Sequence, residues 1–396
     1  MGYRILSLDG GGSWAIIEVR ALIDLYGANA TGHQVLADFD LAAANSGGSL
    51  VLGGLVENLT LATLQDFFED QAKRQAIFSA TKSFGDKTLE AIAGVGPKYS
   101  ADAKLPAIES LIPDTGNLTL TDAAAQVGKA GGIHLLIIGF DYDRNRGKFF
   151  RSGAASANVP ELGNGAPADV TLAEAIHAST NAPVNYFDGP ARYPGRDERF
   201  WDGGITGCNN PVLAAVTEAI GLGKSPADIR ALSLGTANVV LPLADPSAPD
   251  SPYLQARAKP GVVGDLKKLA TAILDDPPDM ATFLAHVMTG MSSGLPAGLA
   301  SRIVRMNPLI TPVKDASGNW TAPGGMTSAQ FSYLAGLDMD AIQQSEVDFI
   351  AAFATLWIAG RIPNQPIRMD GETLALELGD ATYPDARVRW SDLAAI

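Results

Sequence analysis

Arg4-Ile5-Leu6-Ser7-Leu8-Asp9-Gly10-Gly11-Gly12 opens the chain with an apolar run that ends in three consecutive glycines. Ile16, Val19, Ile23 and Tyr26 then recur at helical spacing, so the segment reads as strand, glycine turn, helix. The unit returns from Asp40 to Ala44, a second candidate strand, which runs into Asn45-Ser46-Gly47-Gly48 and a helix carrying Leu50, Val51, Leu52, Leu55 and Val56. Two such units imply a parallel sheet, because a crossover helix returns the chain to the same end of the sheet. The nearly continuous apolar run from Ile133 to Phe140 predicts a central strand covered on both faces.

Asn145-Arg146-Gly147 is a turn signal before Lys148-Phe149-Phe150, which predicts that this strand doubles back as a hairpin. Thr171 and Glu174 stand at capping-box spacing ahead of a helix through Ile176. Phe200-Trp201 leads into Asp202-Gly203-Gly204, Asn209-Asn210-Pro211 opens a helix that stops near Gly221 and Gly223, and Arg230-Ala231-Leu232-Ser233-Leu234 is a further strand. Pro242, Pro246, Pro249, Pro252 and Pro260 cannot sustain helix or central strand, so a long surface excursion is expected there. Beyond it lie a late strand at Ile303-Val304-Arg305-Met306, a long helix near Asp340 to Ile358 and, around Asp370-Gly371, a C-terminal β-hairpin. The expected architecture is α/β. A mostly parallel central sheet flanked by helices occupies residues 1–240, and a mainly helical elaboration with the terminal hairpin, residues 241–396, packs on that core.

The chain has 396 residues, 46% hydrophobic and 18% charged, which is enough apolar material for a large core. A formal net charge of -14 opposes attraction to nucleic acid or to an anionic membrane, so no nucleic-acid partner is expected. Cys208 is the single cysteine, which excludes an internal disulfide and a Cys-rich metal centre. Met1-Gly2-Tyr3-Arg4 runs straight into the first strand without an apolar leader or cleavage site, and no apolar run is long enough to span a bilayer. A cytoplasmic protein is expected, with export by a route that needs no cleavable signal left open.

Ala44-Asn45-Ser46-Gly47-Gly48 lies where a strand meets a helix. Small neighbours there allow a turn sharp enough to lift a serine hydroxyl above the sheet, the logic of the nucleophile elbow G-x-S-x-G, with Ala44 in place of the first glycine. On its own the pattern describes a plain tight turn equally well. A hydrolytic serine also needs donors for an oxyanion, and consecutive N–H groups of a glycine loop at a helix start supply them, which singles out Gly10, Gly11 and Gly12. Similar loops cradle phosphates, but no G-K-[ST] follows this one and the acidic Asp9 precedes it.

The third requirement is a base. His33, His134, His177 and His286 are the four histidines. His134 sits in an apolar strand, His33 in a loop before the elbow and His286 in a late helix. His177 is the best placed of them, although helix packing explains it as well. Asp202 offers another solution, because Trp201-Asp202-Gly203-Gly204 puts a carboxylate between an apolar segment and a glycine turn. Burial raises the pKa of such a carboxylate toward that of a working base, whereas an isolated Asp-Gly is ordinarily a turn binding nearby N–H groups.

Asp9-Gly10-Gly11-Gly12, Ala44-Asn45-Ser46-Gly47-Gly48, Asp202-Gly203-Gly204 and Asn209-Asn210-Pro211, in this order, resemble the patatin-like phospholipase family. Phe140-Asp141-Tyr142, Ala178-Ser179-Thr180-Asn181-Ala182-Pro183 and Tyr186-Phe187 add to the likeness, which spans residues 3–240 and is weaker around Arg305-Met306-Asn307-Pro308. The resemblance implies a dyad of Ser46 as nucleophile and Asp202 as base, an oxyanion hole from Gly10, Gly11 and Gly12, and a supporting loop at Asn209 and Asn210. It further implies hydrolysis of fatty acyl esters in phospholipids or other lipids, without cofactor or metal, in transient contact with a membrane or micelle surface. Asp9 would shape the loop and take no part in the chemistry.

Two positions depart from the family's pattern. The glycine loop usually continues with a basic residue and a glycine, whereas here Ser13 is followed by Trp14 and Ala15. Trp14 is read as lining an acyl groove, or as the mark of a loop altered enough to weaken activity. Ala44 at the elbow is the second departure, and alanine is still small. Two other functions compete with an active lipid acyl hydrolase. One is a catalytically weak lipid-binding or regulatory protein on the same fold, supported by Trp14; the other is a sugar-kinase-like enzyme using Asp9 to Gly12 as a phosphate loop. The presence of both Ser46 and Asp202 favours the hydrolase.

Overall fold

The computed structural model describes residues 2–77, 101, 104–153, 170–183, 187–244, 251–255, 261, 277–290, 301–367 and 378–395. The apolar runs become strands β1 (Tyr3–Leu8), β2 (Leu41–Asn45), β3 (His134–Asp141), β4 (Arg146–Arg151), β5 (Ala191–Arg192), β6 (Arg199–Asp202), β7 (Ile229–Leu234), β8 (Asn238–Val239) and β9 (Ile303–Met306). Five of them, in the order β3-β2-β1-β7-β9, form parallel ladders at the centre of an eight-stranded sheet. The fold is α/β with a mostly parallel, helix-flanked sheet, and its edge strand β9 comes from beyond residue 300.

Alternation along each strand assigns its side chains to two covered faces. Leu6 and Leu8 of β1 and Ala42 and Ala44 of β2 join a core built with the helices Ile16–Tyr26, Ser46–Val56 and Gln344–Ile358. Ile5, Leu41 and Ala43 face the other way, onto Val212, Val216 and Ala219 of the helix Val212–Gly221 and Phe283 of the helix Pro277–Met288. Each fully buried Leu or Ile contributes roughly 1.5–3 kcal/mol, which is why these strands read as unbroken apolar runs.

The hairpin expected at Asn145 is present, with β4 antiparallel to β3 and Asn145 in the left-handed region at φ 53°. The capping box is present as well: Thr171 Oγ1 accepts from the Glu174 N–H at 3.2 Å, and Glu174 Oε2 accepts from the Thr171 N–H at 3.0 Å. Of the C-terminal hairpin, residues 368–377 lie outside the described residues. Ile367 and Leu378, which flank them, exchange two backbone hydrogen bonds of 2.8 and 3.0 Å. Among the described residues no helix is long and apolar enough to cross a membrane.

The register around β3 positions the site. Residues Leu136 to Asp141 pair with β4 on one edge, so β2 and β6 must share the other edge in tandem. There β2 ends with Asn45 opposite Ile138, and the antiparallel β6 ends with Asp202 opposite the next residue, Gly139. Two segments more than 150 residues apart in sequence thus deliver their last residues to one point on the sheet edge.

Candidate active site

At that point the chain leaves β2 through a strained turn. Asn45 is extended, at φ -130° and ψ 147°, and Ser46 enters the helix at φ 46°. A left-handed residue other than glycine costs about 1–2 kcal/mol, so the surroundings must hold it. They do so by hydrogen bonds: the Ser46 N–H donates to Ser179 Oγ at 2.9 Å, and the Gly48 N–H to the Asp9 carbonyl at 3.0 Å. Glycine is required next, because a Cβ on Gly47 would lie 2.5 Å from the Gly12 carbonyl oxygen, and one on Gly48 2.5 Å from that of Leu8.

Asp202 is buried, its carboxylate accepts hydrogen bonds from the Gly204 N–H at 2.7 Å and from Asn45 Nδ2 at 3.3 Å, and the neighbouring Ser46 hydroxyl favours its charged form. Its own N–H donates to the Asn181 carbonyl at 3.0 Å. Burial raises the Asp202 pKa above the usual carboxylate value, while these hydrogen bonds and the charge of Lys104 oppose the rise. The arrangement is a serine hydroxyl beside a carboxylate whose proton affinity is elevated.

The glycine loop crosses the front of this pair. The Gly10 N–H is occupied, donating to the Asn209 carbonyl at 2.8 Å, and Thr236 Oγ1 donates to the Gly10 carbonyl at 2.5 Å. The Ser13 N–H donates to the Met339 carbonyl at 3.1 Å. Between them, the Gly11 and Gly12 N–H groups have no partner among the described residues, and Gly12 sits at φ 56°. Asn209 Oδ1 accepts from Asn45 Nδ2 at 3.4 Å, so the loop Asn209-Asn210 braces both the glycines and the elbow. Asn210 Oδ1 caps the next helix through the Val212 N–H at 3.0 Å, and Asn210 Nδ2 donates to Thr282 Oγ1 at 2.8 Å.

Behind the loop, Arg305 of β9 donates to Asp9 Oδ2 at 2.6 Å, with both side chains buried. Burial nevertheless pushes the Asp9 carboxyl up to about 6, against the pull of Arg305. Trp14 is buried, and its indole N–H donates to the Asp338 carbonyl at 3.0 Å. The space in front of Ser46 is a cavity of about 20 Å³, lined by Gly12, Leu50, Phe187, Met339 and Asp340 among others, and Trp14 is not among the described residues that line it.

No histidine is hydrogen-bonded to Ser46 or Asp202 among the described residues. His33 Nε2 pairs with the Val56 carbonyl at 2.9 Å and His134 Nε2 with Glu218 at 3.2 Å. His286 packs beside Phe283. His177 is buried, its Nδ1 has no partner among the described residues, and burial, then the charge of Lys104, holds its pKa well below the usual value. Sequence reasoning missed Lys104, Thr236 and the segment 338–340; Asn181 and Arg305 were visible only as parts of family-like strings.

VipD from Legionella pneumophila is a similar solved structure, with 11% sequence identity, coverage of 89% of this chain and 67% of that chain, and a TM-score of 0.36. No curated protein matches the chain. The model of the patatin-like phospholipase family matches residues 6–216, more than half of the chain. The glycine turn, the elbow and the Asp202 turn all fall inside that match, and the chain belongs to the patatin-like phospholipase family, a family of lipid acyl hydrolases.

Proposed function

We propose that this chain hydrolyses fatty acyl esters of phospholipids or related lipids, with Ser46 as nucleophile and Asp202 as its base. The observation that carries the reading is the meeting of two strand ends: β2 delivers Ser46 on its strained elbow and β6 delivers the buried Asp202 carboxylate to adjacent positions on the edge of β3, where Asn45 Nδ2 donates to Asp202 at 3.3 Å, with no histidine hydrogen-bonded to either group among the described residues. Ser46 Oγ attacks the ester carbonyl carbon while its proton passes to Asp202. The carbonyl oxygen becomes an oxyanion that accepts from the Gly11 and Gly12 N–H groups, the two the loop leaves unspent. Collapse of the intermediate expels the lipid alcohol, which takes the proton from Asp202. Water, deprotonated by the same carboxylate, then releases the fatty acid from Ser46. Burial suits Asp202 to this task, since a carboxylate at its ordinary pKa would be a weak base toward a serine hydroxyl. A net charge of -14 favours neutral or zwitterionic lipid over anionic surfaces.

One observation favours the alternative of a catalytically weak lipid-binding protein. A cavity of about 20 Å³ holds roughly one water molecule, so the space that the described residues leave in front of Ser46 is too small for an acyl chain as it stands. Turnover separates the two readings. A fluorophosphonate should label Ser46, and Ser46→Ala and Asp202→Asn should each lower kcat on phospholipid, galactolipid or p-nitrophenyl esters by about 10⁴-fold, with the double variant no slower than either. Retained activity in folded Ser46→Ala would sink the proposal, and total loss in folded His177→Gln would replace the dyad by a triad. Labelling without turnover on any of these esters would favour the alternative.

A further inference from the structure

Lys104 is fully buried at the start of the helix Lys104–Leu111, an unusual fate for an ammonium group. Among the described residues it has no carboxylate in ion-pair contact. Its Nζ donates to Asn181 Oδ1 at 2.8 Å and stands 4.0 Å above the centroid of the Phe187 ring. A buried cation without a paired anion is costly, so its neighbours show what it serves.

Each neighbour leads to the proposed dyad. Asn181 holds Asp202 directly, its carbonyl accepting the Asp202 N–H at 3.0 Å, while its Nδ2 donates to the Gly189 carbonyl at 2.7 Å. Phe187 lines the cavity in front of Ser46. We infer that Lys104 is a positioning residue for the reaction: through Asn181 it fixes the base, through Phe187 it fixes one wall of the acyl site, and its charge steadies the Asp202 carboxylate. The inference rests on the Ser46–Asp202 reading.

Among the described residues, the charged and titratable groups around the pair are few. His177, from the helix Leu172–Ser179, faces Lys104 and is held neutral by burial and by that cation. Arg74, from the helix Gln71–Ile77, is turned away to the carbonyls of Phe68 and Ile342. Asp188 accepts from the Ala101 N–H. Burial draws the Lys104 pKa well down, and Asp202 is the carboxylate that opposes the fall.

The sign of the effect follows. Asp202 acts as a carboxylate, and a nearby cation lowers its pKa, so removing the cation moves the acid limb of kcat/KM to higher pH. Lys104→Met keeps the stem against Phe187 and deletes the charge. With p-nitrophenyl butyrate, its acid limb should rise by about one pH unit, with the loss carried by kcat and KM little changed. Lys104→Gln, which restores a donor to Asn181 without charge, should show the same shift. An unmoved limb in either folded variant overturns the inference; so does failure of both to fold by near-ultraviolet circular dichroism, which would assign Lys104 to the core alone. If Ser46→Ala or Asp202→Asn retains activity, the dyad itself has failed, a result distinguishable from an intact dyad with an unmoved limb.

Discussion

The indole N–H of Trp14 donates to the carbonyl oxygen of Asp338 at 3.0 Å, and one residue earlier the Ser13 N–H donates to the Met339 carbonyl at 3.1 Å. The residue that sets this chain apart from the family's usual glycine loop thus ties that loop to a segment that lines the cavity. Its charge-free side chain acts by packing and by one directed hydrogen bond.

Cutting that bond while keeping an aromatic body is the first test. Trp14→Phe should lose about 1 kcal/mol in chemical denaturation, the net worth of one hydrogen bond, and Trp14→Ala about 3–5 kcal/mol, because a buried indole leaves a cavity. In both, ester hydrolysis should fall by the same factor from acetate to long-chain esters, since the ring acts on the segment 338–340 and not on the acyl chain. A loss that grows with chain length would return Trp14 to the acyl groove.

A second test separates backbone strain from function at two glycines. Gly12 sits at φ 56° with a hypothetical Cβ 2.3 Å from the Met339 carbonyl oxygen, whereas Gly27 sits at φ 89° with nothing within 4 Å. Gly12→Ala should pay about 1–2 kcal/mol for a left-handed alanine in addition to its clash with Met339, and Gly27→Ala about 1–3 kcal/mol, since φ 89° with ψ 148° is a conformation that glycine alone adopts readily. Only Gly12→Ala displaces an N–H proposed for the oxyanion, so its kcat should drop by about 10²-fold or more while Gly27→Ala stays near wild type. Equal kcat in the two variants would remove Gly12 from the oxyanion hole.

The local half of this site was legible in the sequence, and the long-range half was not. Glycine runs and apolar periodicity report the backbone within a few residues, which is why the turns at Gly10, Ser46 and Asp202 stood out and why α/β followed from their order. Arg305 reaches Asp9 across 296 positions, and Lys104 reaches Asn181 across 77, so no local pattern announces either. The fate of the Gly10 N–H depended on the Asn209 carbonyl, which only the folded loop brings within 2.8 Å. Trp14 followed the same rule: its composition fits a groove as well as a core, and the choice is made by an acceptor 324 residues away.

The third test concerns Glu18, fully buried behind the glycine loop. Its Oε1 accepts the Asp9 N–H at 2.6 Å, and its Oε2 has no partner among the described residues. Burial, and then the charge of Asp9, raises its pKa well above the ordinary glutamate value, so its protonated form persists to higher pH than that of a free glutamate. A carboxyl with a folded pKa above its unfolded one binds its proton more tightly in the folded protein. The stability it contributes is fully present below the unfolded pKa and is lost as pH rises through the folded value. Glu18→Gln keeps the shape and the Oε1 acceptor but has no proton to lose. Its melting temperature should match wild type near about pH 5 and exceed it by about pH 9, the gap widening with pH. Parallel melting curves for the two proteins across that range would mean that Glu18 is ionised in the native state and that its charge is balanced by Arg305.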